Sequence, residues 1–103
     1  MLNVVLREDV KEYLKQHHHN DISLRLMHND YSTGNVYTRS PRIRFKAPRD
    51  EQNFDSYMVD GVRVFVEKEI EAYDDTIEFV EETFLGIHRC HVKGVKLDSD
   101  IMI

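Results

Sequence analysis

Near the end of the chain, the stretch His88-Arg89-Cys90-His91 holds three residues, two histidines and a cysteine, of the types that most often bind metals or attack carbonyl groups. Cys90 is the only cysteine. A thiolate beside an imidazole can ligate a transition metal, or act as a nucleophile with its base. Spacing restricts both options. In a strand, His88, Cys90 and Val92 point to one side, while Arg89, His91 and Lys93 point to the other. Cys90 and His91 then cannot share an ion, which leaves Cys90 and His88, roughly 6.5–7 Å apart by strand rise, as the metal-ligand candidates. A tetrahedral site needs about four ligands. A Cys–His nucleophile also needs an orienting third group and an oxyanion site, and the sequence shows neither. The reading adopted is that Cys90 is a small buried hydrophobe and His88 a strand-edge residue. No catalytic, cofactor-binding or metal-ligating residue is expected.

Other clusters are weighed the same way. His17-His18-His19 could hold a metal loosely, but three consecutive residues at a helix end cannot all face one ion. Asp74-Asp75 and Glu81-Glu82 are paired carboxylates, yet neighbours in a strand point oppositely and no calcium-loop spacing surrounds them. Both pairs read as solvated surface. No phosphate-cradling glycine loop or nucleophile elbow is present, so the chain is not expected to be an enzyme. The remaining cluster is basic. Arg39, Arg42, Arg44, Lys46 and Arg49 fall in a stretch without an acid, whereas residues 51–84 carry eleven acids. Either pole could meet a partner of opposite charge.

These residues need elements to position them. Residues 8–18 place Val10, Tyr13, Leu14 and the ring of His17 at helical spacing, with acids in the first turn and Lys15 in the last. In residues 21–28, Ile22, Leu24 and Leu26 alternate with Ser23, Arg25 and Met27, as in a half-buried strand. "NDYSTGN" (29–35) is a loop by composition. After Pro41, Ile43 and Phe45 alternate with Arg42, Arg44 and Lys46, which puts the basic run on the solvent side of a strand ended by Pro48. Asp60-Gly61 between two β-rich runs predicts a hairpin with a type I′ turn. Residues 68–75 read as a short helical turn. Residues 76–86 fit either period and are taken as a strand ending near Val80. A last strand over 87–97 is broken or bulged at Gly94. The expectation is one α+β domain over residues 1–103, with an N-terminal helix and about six mostly antiparallel strands in a sandwich or pseudo-barrel.

Composition bounds the rest. With 41% hydrophobic and 32% charged residues, the 103-residue chain can build one modest core. No apolar run approaches the ~20 residues of a membrane helix, and residues 1–6 lack a signal-peptide pattern. One cysteine makes no internal disulfide, so a cytoplasmic location is expected. A net charge of −5, with Phe45 as the one aromatic in the basic run, disfavours nucleic acid.

The order of these elements resembles the HesB-like domain of the A-type (IscA-like) iron–sulphur carriers. The resemblance rests on "LREDVKEYLKQ" followed by "ISLRL", on the hairpin "DGVRVFV", on "TIEFV", and on a last strand after Gly86. It covers nearly the whole chain, and its framework is mostly apolar spacing. Members of that family bind iron or an iron–sulphur cluster through three cysteines, one in the loop after "LRL" and two in a Cys-x-Cys near the C-terminus. Here Ser32 and Thr33 stand where the first cysteine, or a double cysteine, would fall, and the tail "KLDSDIMI" has none. Hydroxyls do not replace thiolates as iron ligands. The resemblance therefore implies a degenerate member, without the three cysteines. It would be a non-catalytic accessory or regulatory protein of iron–sulphur cluster biogenesis, pairing with a protein of the assembly machinery and self-associating as members commonly do. Iron or a cluster is implied by resemblance alone. The alternative reading is a binding module unrelated to iron, whose basic strand face (Arg42, Arg44, Lys46) meets an acidic partner or a small anion.

Overall fold

The alternation in residues 21–28 becomes a strand that crosses the middle of the protein, with Ile22 and Leu24 fully buried and Leu26 nearly so. The computed structural model describes residues 2–30 and 37–96. In chain order these form β1 (Asn3–Leu6), α1 (Glu8–Gln16), β2 (Asp21–Asp30), β3 (Tyr37–Arg44), β4 (Phe54–Val59), β5 (Val62–Glu67), β6 (Thr76–Phe84) and β7 (Ile87–Lys93). Short 3-10 turns lie at Glu51–Asn53 and Tyr73–Asp75. One sheet has the order β1-β6-β7 and the other β3-β2-β5-β4. Pairing is antiparallel in β2–β3, β4–β5 and β6–β7, and parallel in β1–β6 and β2–β5. The fold class is α+β, as the sequence reading expected.

β2 runs on to Asp30, into the stretch read as a loop, and β3 starts at Tyr37, before Pro41. Two further elements depart more from that reading. β1 was not expected, because four residues carry too little periodicity to announce a strand. It forms by pairing with β6, more than seventy positions along the chain, through Val4↔Ile77 and Leu6↔Phe79. β6 runs to Phe84 instead of stopping near Val80. The local pattern fades at Glu81-Glu82-Thr83, but the ladder to β7 continues through Glu81↔Cys90 and Thr83↔His88. Long-range backbone pairing decides where local pattern is silent.

Helix α1 shows how packing outweighs local signals. It has no capping side chain at Arg7 and spans nine residues, too few to persist alone. Val10 and Leu14 are buried, and each full burial of a Val or Leu contributes roughly 1.5–3 kcal/mol. Lys11 pairs with Glu8 at 2.7 Å and with Asp60 at 3.1 Å, tying the helix to the β4–β5 turn. The end is a Schellman closure: His19 N–H bonds to Leu14 C=O, His18 N–H to Lys15 C=O, and His18 takes φ 57°. The helix therefore stops at Gln16, and His17 is exposed.

The Asp60-Gly61 turn has both residues at positive φ, as a type I′ hairpin requires. At the end of β7, Gly94 has φ 95°, and a Cβ there would lie 2.3 Å from Thr76 C=O. Glycine is required at that position, which the sequence reading marked as a break in the strand.

Candidate functional site

The basic groove begins with the register between β2 and β3. Ser23 faces Arg44 and Arg25 faces Arg42, so these side chains share the outer face, opposite Leu24, Leu26 and Ile43. β3 and β4 are consecutive in the chain but occupy opposite edges of their sheet. The connection between them, residues 45–53, must travel from one edge to the other. Arg25 fastens it: the guanidinium donates to Asp50 Oδ1, lies 4.0 Å from Glu67, and sits 5.1 Å from the centre of the Phe54 ring. Asn53 Nδ2 donates to Asp50 Oδ2 at 3.0 Å. That bond, followed by the Arg25 contact, holds the Asp50 carboxyl below the ordinary carboxylate range despite some desolvation.

Between the strand face and this connection lies a groove of about 460 Å³. Arg25, Arg42, Arg44, Lys46 and Arg49 line it against one acid, Asp50, over a floor containing Ser23, Met27 and Phe54. Asp50 is already engaged by Arg25. Arg42, Arg44, Lys46 and Arg49 are exposed and make no ion pair among the described residues. Like charges gathered around one concavity add to its local potential. Elsewhere on the same sheet the pattern is opposite. Arg63 donates to both carboxylate oxygens of Asp21, at 2.8 and 3.2 Å, and that pair is closed.

The side chains of the His88–His91 stretch fall as alternation predicted. Cys90 and Val92 turn inward, while Arg89, His91 and Lys93 are exposed. His88 is exposed too, with Nδ1 2.8 Å from Glu81 Oε1 and 3.1 Å from Thr83 Oγ1. Cys90 stands opposite Glu81 in the ladder and lines a cavity of about 60 Å³ with Val10, Tyr13, Phe45, His88 and Arg89. That space admits a few waters at most. Burial pushes the Cys90 thiol up to about 12, with smaller contributions from the negative charges of Glu81 and Asp9. A thiol that keeps its proton at neutral pH is neither a ready metal ligand nor a nucleophile. Among the described residues no three His, Cys, Asp or Glu side chains gather as a metal site would need.

The remaining candidates separate. His17 lies against Tyr13 with ring centres 4.3 Å apart and planes tilted by 36°, and His19 stacks on Phe45 at 5.3 Å. His17 and His19 thus join Tyr13 and Phe45 in a ring cluster at the helix end. Asp74 and Asp75 take left-handed backbone conformations in an exposed turn. Glu81 meets His88 while Glu82 is exposed on the other face. The loop with Ser32 and Thr33 and the tail beyond Lys96 lie outside the described residues, as does the side chain of Arg39.

The chain matches the profile of a family described as "CC/Se motif containing family" over residues 2–95. It belongs to that family. No curated protein and no solved structure matches it. The match corrects the resemblance to HesB-like iron–sulphur carriers, and the iron–sulphur expectations built on that resemblance fall with it. The reason is physical. Apolar alternation, an Asp-Gly hairpin and a glycine before a strand are what any small antiparallel domain needs. The ligands that would have made the resemblance specific were the ones missing. The chain's single cysteine also means that it holds no Cys-Cys pair of the kind the family's description names.

The sequence already showed the alternation of Arg42, Arg44 and Lys46. Sequence reasoning grouped Arg49 with that row only as part of one basic stretch, and did not connect Arg25 or Asp50 to it. The β2–β3 register and the path of residues 45–53 bring them there, and neither leaves a local signal.

Proposed function

We propose that this chain is a non-catalytic binding module whose basic groove takes an acidic protein partner or a small anion. The observation that carries this reading is the set of four cations, Arg42, Arg44, Lys46 and Arg49, arranged around one concavity with no ion-pair partner among the described residues. Free cations at a surface are ordinary singly, but here the strand register and a fastened connection hold them toward the same space. The raised Cys90 thiol supports the non-catalytic part, since it leaves little thiol chemistry at neutral pH. Among the described residues no helix is long and apolar enough to cross a membrane. A cytoplasmic setting is proposed with this reading, supported by a single cysteine that makes no internal disulfide.

The test is calorimetric titration of the protein with poly-glutamate and, separately, with inorganic phosphate at two salt concentrations. Binding should weaken as salt rises. In a variant with Arg42→Glu, Arg44→Glu and Lys46→Glu it should fall by about 100-fold or more, while circular dichroism stays unchanged. Equal affinity in the variant would sink the reading. The two titrants separate an acidic chain from a small anion.

A further inference from the structure

Among the described residues β3 ends its sheet, so one side of it has no hydrogen-bonded strand, and β7 stands across a cleft from it. The direction of its backbone groups follows from β2. Leu26 N–H donates to Glu67 Oε1 and Asn20 C=O accepts from Arg63 N–H, so the even-numbered residues of this stretch aim at β5. The odd-numbered Ser23 and Arg25 therefore aim at β3, where they face Arg44 and Arg42. Pro41 and Ile43 turn their backbone to the open side. This explains how a proline sits in a ladder, since the N–H it lacks would have pointed away from β2. It also leaves Ile43 N–H, Ile43 C=O and Pro41 C=O facing outward along the edge.

The two faces beside this edge differ in chemistry. Arg42 and Arg44 stand on the outer face at the groove. Pro41, Ile43 and Phe45 stand on the inner face and give the apolar wall of a cleft of about 210 Å³, whose other wall is Arg89, Cys90, His91 and Val92 of β7. A strand laid along β3 would send alternate side chains to these two environments, at the same ~6.6–7 Å repeat as Arg42 and Arg44. Carboxylates would meet the arginines as cross-strand pairs, and apolar side chains would enter the cleft.

We propose that the partner is an extended segment of another protein, acidic at every second position and apolar between, which adds to the open edge of β3 as a fifth strand. This rests on the acidic-partner reading above and specifies its ligand. Main-chain bonds from Ile43 and Pro41 hold the segment, and the charge pattern selects it.

The test uses fluorescence anisotropy with a labelled peptide alternating Glu and Val. One comparison is an isomer with its Glu and Val residues in separate blocks. The other is the alternating peptide N-methylated at every second amide. The alternating peptide should bind at least about 10-fold tighter than either comparison, since each lost set of strand bonds or misplaced side chains weakens pairing. Equal affinity of all three, lost together in the Arg42→Glu, Arg44→Glu, Lys46→Glu variant, would overturn strand addition and leave the electrostatic groove standing. Binding of phosphate but of no peptide would overturn it in favour of a small-anion site. A dimer of this chain that blocks the peptide would overturn it in favour of self-pairing. Absence of binding to any acidic probe would overturn both readings.

Discussion

Two concavities flank β3, and they differ in what their residues are free to do. On the outer side, Arg42, Arg44, Lys46 and Arg49 are common residue types with no ion-pair partner among the described residues. On the inner side, Cys90, with the exposed His88 beside it in β7, is chemically distinctive, yet both are already accounted for. The thiol is half-buried and holds its proton, and the imidazole is turned to Glu81 and Thr83. The difference teaches that a residue's reactivity in the abstract says less than whether its environment has already satisfied it. Rare letters in the sequence attracted attention to the inner side. Uncompensated charge favours the outer one.

The comparison can be broken most sharply by exchanging the variants. The charge reversal at Arg42, Arg44 and Lys46 is expected to lower affinity for an acidic ligand by about 100-fold, about 2.7 kcal/mol. Cys90→Ser should leave the same affinity within about twofold, because that side chain is absent from the groove. A loss in Cys90→Ser as large as in the reversal would invert the assignment of the two sides. Gly94→Ala comes next. Its Cβ would strike Thr76 C=O and its φ disfavours any L side chain, so urea unfolding should show a loss of about 2 kcal/mol or more. If that loss lowers ligand affinity in the folded protein as well, the β7 end is coupled to the groove and the two sides are not independent.

A smaller gain is expected at the β6–β7 turn. Leu85 has φ 52° and is 86% exposed, followed by Gly86 at φ 78°. Leu85→Asn should raise stability by about 1 kcal/mol, since asparagine tolerates the left-handed region and little packing is lost. No change in melting temperature would mean that the turn relaxes without cost. The last effect is confined to alkaline pH. The folded thiol at about 12 is above the ordinary value of 9.0, so the folded protein binds the Cys90 proton more tightly than the unfolded chain does. The stability this contributes is complete below pH 9 and is lost as pH rises from 9 toward 12. Denaturation midpoints should fall over that window in the wild type and fall less in Cys90→Ser. Parallel curves would show that the thiol is not held in its protonated state, and would reopen the inner side as a reactive site.

Much of the framework was legible because it depends on residues close in sequence. Helical spacing in residues 8–16, the alternation of Ile22-Leu24-Leu26, the Asp60-Gly61 turn and the break at Gly94 each carry their own stereochemical signature. So did the solvent-facing row of Arg42, Arg44 and Lys46, and the division of His88–His91 into two sides. β1 and the second half of β6 were not legible, because their strand state comes from partners far along the chain. The family was misread for a related reason. Small β-rich domains share the same local grammar, and only specific functional residues would have told them apart.

The sequence by itself determined an α+β chain with a basic strand face and with Cys90 facing inward, since periodicity and turn chemistry act over a few residues. Only the tertiary structure decided that Arg25, Asp50 and Arg49 join that face, that β3 ends its sheet among the described residues, and that the Cys90 thiol is desolvated. Each of these depends on which strands lie side by side and what covers them, and solvation and pairing are properties of neighbours in space.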